Sequence, residues 1–381
     1  MLDSIYETEE HVAFRAQIRR FVVEEVRPNI DDWEQTGEIP RDVFRKMGAL
    51  GFLGVRYPEA FGGAEMDTFG SVVLAEELGR SGLSGFAIST LVHTDMASPH
   101  LERYGTSEQK AKYLPGIVSG DLITAVGVTE PGAGSDVAGI SARAEKRGNG
   151  WVLSGTKMFI TNGVLGDLCF VAAKTDLDVK PSRGVSMFIV EKGAPGFTVS
   201  SQLDKMGWRC SDTAELVFDN VELTADALLG SEGRGFYQIM DNFQNERLVI
   251  GAMAVGEAER ALEVTLEYVR DRKAFAETLW DKQVVRHKLA ECAGRCEAVK
   301  RLVHHTAWLD AQGRDCVKEV SMIKVEAARM LQQVVYECQQ LHGGAGYMRG
   351  MEIERLYRDA RVQAIGGGAS EVMLEEVAKR L

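Results

Sequence analysis

The feature that most constrains this chain is a double change of hydrophobic period. Up to about residue 120, apolar residues recur every three or four positions, the repeat of an amphipathic helix. Val12, Ile18, Phe21, Val22 and Val26 form one such stripe, which should end at Pro28. Pro40 suits the first turn of a second helix, with Val43, Met47 and Leu50 facing inward. Segments 68–80, 85–104 and 107–119 continue the pattern, and Thr106 with Gln109 three residues on has the form of a capping box. From Asp121 the period shortens. Stretches at 121–128, 139–147, 151–160, 168–174, 184–191, 197–201 and 214–221 are short, β-branched or alternating, with Gly-, Asp- or Pro-rich turns between them. After Gly235 long helical periods return at 235–271, 282–312 and 317–341, followed by shorter ones at 352–360 and 370–380.

This order predicts an α+β chain with an N-terminal helical domain over 1–120 and a C-terminal helical domain of the four-helix-bundle type over 231–381. Between them, residues 121–230 should form an antiparallel, barrel-like sheet. A length of 381 residues suits two or three domains better than one core. The net charge of -12 leaves no basic excess to neutralise phosphates, which argues against nucleic acid as a partner. The acidic start, with Glu7, Glu9 and Glu10, matches neither a signal peptide nor an Arg-rich transit peptide. No apolar run reaches the ~18 residues of a transmembrane segment. The expectation is a cytoplasmic protein of bacterial type. Cys169, Cys210, Cys292, Cys296, Cys316 and Cys338 show no paired ligand spacing, so no metal is expected and they read as reduced thiols.

Four short blocks carry candidate chemistry. Val128 and Thr129 end a strand in a turn containing Gly132, Gly134 and Ser135. Backbone N–H groups in such a turn could hold an anion or a cofactor carbonyl, and a plain tight turn would look the same. Phe159 and Thr161 stand two apart on a strand, so both could meet one flat ring; a strand entering the turn at Asn162 and Gly163 is the other reading. Arg272 with Phe275, and Gln283 downstream, offers a planar donor fork for a pyrophosphate, or simply a charged helix end. Gln340, Gly343 and Gly344 close a long helix, where glycine serves as a cap and also allows close approach of a ligand.

In this order the four blocks resemble the acyl-CoA dehydrogenase family across essentially the whole chain, as does the segment from Arg358 to Glu371. The resemblance implies FAD held non-covalently between the middle and C-terminal domains. It also implies a homotetramer in which a neighbouring subunit completes each FAD site. Val128 and Thr129 would contact the flavin, and Phe159 and Thr161 would flank it. Arg272, Phe275, Gln283, Gln340, Gly343 and Gly344 match positions that hold the pyrophosphate and adenosine, partly across the subunit boundary. Ala369 and Glu371 fall in the same cofactor set, although Ala369 stands where a threonine is common; Ala276 is likewise a departure, replacing a usual glycine. Ser135, Phe243 and Arg247 match positions near the CoA chain.

The family reaction removes an α-proton from a thioester as a β-hydride passes to the flavin. It needs a base within reach of the proton and donors for the developing oxyanion. Many members carry that base, a glutamate, one residue before the glycine aligned with Gly368, but here the position is Gly367. The backbone N–H of Gly367 would remain a donor to the thioester oxygen. Glu246, directly before Arg247, matches the base of the isovaleryl-CoA and long-chain branches. Gly366, a substrate-pocket position, and Gly367 leave space that favours a long or branched acyl group. The stretch from Phe86 to Leu91 should line the pocket floor, and His93 and His342 read as packed or capping residues. The implied activity converts an acyl-CoA to a trans-2-enoyl-CoA, with an electron-transfer flavoprotein reoxidising the FAD. Two other readings stay open: an oxygen-using flavoenzyme of the same fold, and a non-catalytic binding or assembly module.

Overall fold

The chain opens with α1 (Glu9–Phe21), whose entry is set by a reciprocal cap between Thr8 and His11. This is a computed structural model, and it describes residues 5–381. The helix does not end at Pro28. A π turn over Val22–Val26 and a 3-10 turn over Arg27–Asn29 carry the chain into α2 (Ile30–Thr36), because a proline in a first turn forfeits no needed donor. Then follow α3 (Arg41–Ala49), α4 (Thr68–Gly79), α5 (Ser84–Leu91), α6 (Ser98–Tyr104) and α7 (Ser107–Ser119). The Thr106–Gln109 capping box opens α7 as the spacing predicts. Val12 and Leu50, expected inside, are 38% and 43% exposed. The buried stripe of α1 is instead His11, Arg15 and Ile18. Two of these are polar, so hydrophobicity alone could not reveal it.

The middle segment comprises β1 (Thr124–Gly127), β2 (Arg143–Arg147), β3 (Gly150–Thr161), β4 (Leu168–Lys174), β5 (Val185–Glu191), β6 (Phe197–Gln202), β7 (Thr213–Leu223) and β8 (Leu228–Leu229). They form one sheet in the order β6-β7-β3-β2-β4-β5-β8, with β1 added beside β4. The fold class is as expected, but the sheet is mixed and open rather than an antiparallel barrel. β1 runs parallel to β4, Thr124 to Gly127 facing Leu168 to Val171. The β2–β3 hairpin lies between them in sequence and supplies the long crossover that a parallel pair requires.

The C-terminal part is dominated by α8 (Gly235–Asp271), about 55 Å long at ~1.5 Å per residue. A short hairpin, β9 (Lys273–Ala274) and β10 (Glu277–Thr278), turns the chain into α9 (Gln283–Ala311). After it come α10 (Val317–His342), α11 (Glu352–Ala360) and α12 (Ser370–Ala378). Every residue of α4 is buried, and it crosses α8 at backbone distance. A side chain begun at Gly79 would lie 2.3 Å from the Met253 carbonyl oxygen, and one at Gly256 would lie 2.0 Å from that of Glu76. Only glycine allows this approach.

A buried ionic cluster ties α1, α4 and α9 together. Glu76 meets His304 Nε2 at 2.7 Å and Arg15 Nη1 at 2.8 Å, and Arg15 also reaches Glu7 and Glu77. Burial pushes the Glu76 carboxyl up, but the hydrogen bond and charge of His304, with Arg15 and Lys300, outweigh it and hold the group at about 2. A depressed carboxylate contributes stability above its unfolded value of 4.5 that is lost as pH falls through about 2. Removing one partner strands the others. Glu76→Gln is expected to lower stability by about 3 kcal/mol at neutral pH, read by chemical denaturation, with a deficit that shrinks below pH ~4.

Candidate active site

One wall of the site is built by the end of β1 and the end of β3. Lys157 is fully buried and donates to the Val128 carbonyl at 3.0 Å and to Glu130 at 2.8 Å. Glu130 also accepts from Ser141 and the Ala142 N–H, and the charge of Lys157 keeps its carboxyl below the usual range against the effect of burial. This pair fixes Val128 and Thr129, and the Thr129 carbonyl accepts from Met158 at 2.9 Å. Glu130 and Ala133 close the turn with mutual backbone bonds. Its lip is open: side chains begun at Gly132 or Gly134 would meet nothing within 4 Å, and Ser135 is exposed.

Strand alternation breaks where the sequence relied on it. The β3–β7 register shifts between Lys157 and Ile160, and Phe159 takes φ +61° there. A bulky residue in the left-handed region is uncommon and is kept by its surroundings. The ring stands 67% exposed at the site wall, whereas Thr161 is half-buried. Asn162 then donates to the carbonyls of Ser89 and Thr124 at 2.9 and 3.1 Å, tying this wall to α5. All of α5 is buried, the stretch from Phe86 to Leu91 included.

The opposite wall is the N-terminal half of α8. Phe243, Glu246 and Arg247 lie here, and Phe243 joins Val128 in one apolar cluster. Glu246 is buried, and one carboxylate oxygen accepts from Asn242 Nδ2 at 2.9 Å. Asn242 also reaches the carbonyls of Asp95 and Met96, in a π turn spanning Val92–Ala97. Such widened turns free carbonyls and recur at functional sites. Burial pushes the Glu246 carboxyl up to about 7, opposed in part by Asn242 and the charge of Arg247. Arg247 is buried with its Nε unpartnered among the described residues, and its guanidinium rests 4.9 Å from the Phe243 ring centre.

The glycine turn packs directly on this face. A side chain begun at Gly367 would lie 2.6 Å from Ile250 Cδ1, and one at Gly368 would lie 3.7 Å from Arg247 Nε. Ile250 follows Glu246 by one helical turn, so both occupy the same side of α8. The space expected at both glycines is therefore corrected: Ile250 fills it at Gly367, and Gly366 is the looser of the two, with its nearest neighbours in ordinary contact at 3.8 Å on Val362. Ala369 caps α12, and Glu371 is an exposed residue of its first turn.

The remaining positions gather elsewhere. Arg272 ends α8, Gln283 starts α9, and Gln340 with Gly343 and Gly344 ends α10, where Tyr268 donates to the His342 carbonyl at 3.2 Å. This group lies about 40 Å along α8 from Glu246 at ~1.5 Å per residue, farther than an extended FAD reaches. The structure therefore does not unite them with the flavin wall of the same chain. They nevertheless have the character of a ligand cradle. Phe275 is 95% exposed at φ +55°, the Arg272 guanidinium has no side-chain partner among the described residues, and Gly343 and Gly344 are open. Both sets fit FAD: an exposed aromatic face and backbone donors in one, a free cationic fork and open glycines in the other.

The two tempting histidines are packed. His93 Nε2 meets the Ile117 carbonyl and its Nδ1 accepts from the Thr124 N–H, while His342 stacks on Tyr268 and meets Thr265. Sequence reading passed over Lys157, Glu130, Asn162 and Asn242 as site-builders. Buried polar residues of this kind declare themselves only through partners distant in sequence. The six cysteines are buried and unpaired, and among the described residues no helix is long and apolar enough to cross a membrane.

Comparison with known proteins covers all three segments. Family models described as the N-terminal, middle and C-terminal domains of acyl-CoA dehydrogenase match residues 8–121, 125–221 and 233–381. The long-chain specific acyl-CoA dehydrogenase of Mus musculus is 42% identical over 373 residues, 98% of this chain and 86% of that protein. An acyl-CoA dehydrogenase from Geobacillus kaustophilus superposes with a TM-score of 0.95 at 43% identity, over 99% of each chain. A glutaryl-CoA dehydrogenase from Mycobacterium smegmatis, solved in complex with FADH2, gives 0.93 at 30% identity, covering 98% of this chain and 95% of that one.

Asn242 supplies the hydrogen bond to the Glu246 carboxylate. Asn242→Ala should therefore drive the Glu246 carboxyl further above about 7, by roughly one unit for a lost charge-assisted bond. Infrared titration of the carboxyl band in the purified variant would show it.

Proposed function

The chain belongs to the acyl-CoA dehydrogenase family, and from that premise we propose that it oxidises long-chain or branched acyl-CoA thioesters to trans-2-enoyl-CoA, with Glu246 as the α-proton base. The observation that carries the assignment is the convergence of two possible base positions on one spot. Gly367 has no side chain to offer, and the space beside it is filled by Ile250, one turn along the helix from a buried carboxyl at about 7. A base with such a pKa is matched to work near neutrality. FAD, when bound, supplies the hydride acceptor.

The protein's own residues do the rest. Glu246 takes the α-proton, and its burial excludes the water that would stabilise its charged form. The Gly367 N–H offers a backbone donor to the thioester oxygen, where negative charge develops. Arg247 and Phe243, with Ser135 at the turn, stand where the CoA arm would enter. The lack of a side chain at Gly366, whose nearest neighbours are 3.8 Å away on Val362, favours long chains or branching, covering fatty, leucine-type and terpenoid acyl groups. The buried residues of α5 close the floor.

The two separated cofactor sets support a homotetramer in which the cradle at Arg272, Phe275, Gln283, Gln340, Gly343 and Gly344 serves a neighbouring subunit's FAD. The physiological acceptor in this reading is an electron-transfer flavoprotein. An oxidase would instead show rapid reoxidation in air.

Anaerobic titration of the holoprotein with straight and branched acyl-CoAs, followed at the flavin absorbance, is the direct test. Bleaching by long or branched thioesters is expected; a yellow protein bleached by none would overturn the reading. The rate of bleaching should rise with pH through about 7, because below it Glu246 is protonated and cannot accept. Glu246→Gln should keep FAD and bind thioester but lose flavin reduction by at least ~10³-fold. Its stability should not fall. A carboxyl raised above its unfolded value of 4.5 contributes stability present below that pH and lost as pH rises through about 7, and the neutral amide escapes that loss.

A further inference from the structure

Lys324 lies on α10, outside the sequence motifs described above, and its side chain is buried. Among the described residues it has no carboxylate partner. Its ammonium donates to the Gln363 carbonyl and, at 3.3 Å, to the Gly368 carbonyl, so it spans the glycine turn from beneath. Its Cε would lie 3.5 Å from a side chain begun at Gly367. Burial pulls the ammonium down to about 8, and the charged neighbour that adds to this is Arg247, another cation. Two buried cations therefore flank one turn, and Arg247 keeps an unpartnered Nε. A buried charge without a counter-charge is costly, and a fold retains one where an anion visits.

We propose that Lys324 is a positioning residue of the dehydrogenation. It holds the 363–368 turn so that the Gly367 N–H meets the thioester oxygen, and its charge favours the enolate over the neutral thioester. The inference rests on the acyl-CoA reading above. In it the α-proton passes from the substrate carbon to Glu246, the electron pair stays on the thioester, and Lys324 neither gains nor loses a proton.

A purely structural reading exists: an ammonium at the C-terminal end of the 3-10 turn Arg361–Ala364 caps its carbonyls. The two readings differ in what Lys324→Met would do. Methionine keeps the length and apolar bulk, and the desolvation cost of the ammonium that it removes offsets the two carbonyl hydrogen bonds lost. Folding and FAD content should therefore survive.

The deciding probe is a 3-thia-acyl-CoA, whose sulfur replaces the β-carbon. It can lose the α-proton but has no β-hydride to transfer, so ionisation is read apart from flavin reduction. With the holoprotein, the new long-wavelength absorbance of the bound anion is titrated against pH. Lys324→Met and Lys324→Gln are both expected to raise the apparent pKa of the bound thioester by about one unit or more, a tenfold loss of anion stabilisation. Reduction by a true substrate should slow by a similar factor, with thioester affinity within about twofold. The glutamine variant keeps a donor for the turn and decides the matter if the methionine variant does not fold. Shifts below about 0.3 unit in a folded variant would reduce Lys324 to a cap and sink the proposal. Failure of the unmodified protein to ionise the probe would instead strike the dehydrogenase reading.

Discussion

The crossing of α8 with α4 is the constraint on which the rest depends. Two glycines, Gly79 and Gly256, let the helices touch at their backbones, and no other residue fits there. With that contact set, α8 runs through the molecule as one rod of 37 residues. Its N-terminal half faces the middle sheet and its far end faces outward beside the short hairpin. The ionic cluster around Glu76 sits on the same α4, so the packing of α1 and α9 is anchored to the same rod. Errors in the crossing would displace Glu246 from the glycine turn and Arg272 from its neighbours together.

The active-site region is a set of conflicts held in place by burial. Glu246, Arg247 and Lys324 are all buried, and only the first two are close enough to offset each other in charge. Phe159 sits at a positive φ with its ring in solvent. Asn242 shares one amide among two π-turn carbonyls and a carboxylate. Each would be cheaper in a different arrangement. Such locally unfavourable arrangements are the pattern expected where stability has been traded for chemistry.

Much of this was legible in the sequence. The long helices of the last third have bounds within a few residues of their hydrophobic periods, because nothing interrupts a stripe of that length. The strands, too, fall where alternation puts them. The misreadings have physical causes. Pro28 was a poor stop because its position in a first turn is harmless, and the buried face of α1 was hidden because Arg15 and His11 are paired inside. The parallel pairing of β1 with β4 is a long-range choice that local pattern does not encode. Glu246 stood out because Gly367 was vacant, but Lys157, Asn242 and Lys324 look like ordinary surface residues until their partners, up to 147 positions away, are known.

The space beside Gly367 has a consequence for descent. Its φ of +67° suits glycine, and Ile250 occupies the start of any side chain. A lineage holding the base on the turn and one holding it on the helix are therefore not neighbours in sequence space. Passage from one to the other asks for a smaller residue at 250, a relaxed backbone at 367 and the gain or loss of a carboxylate at each end. Each of these steps is unfavourable without the others.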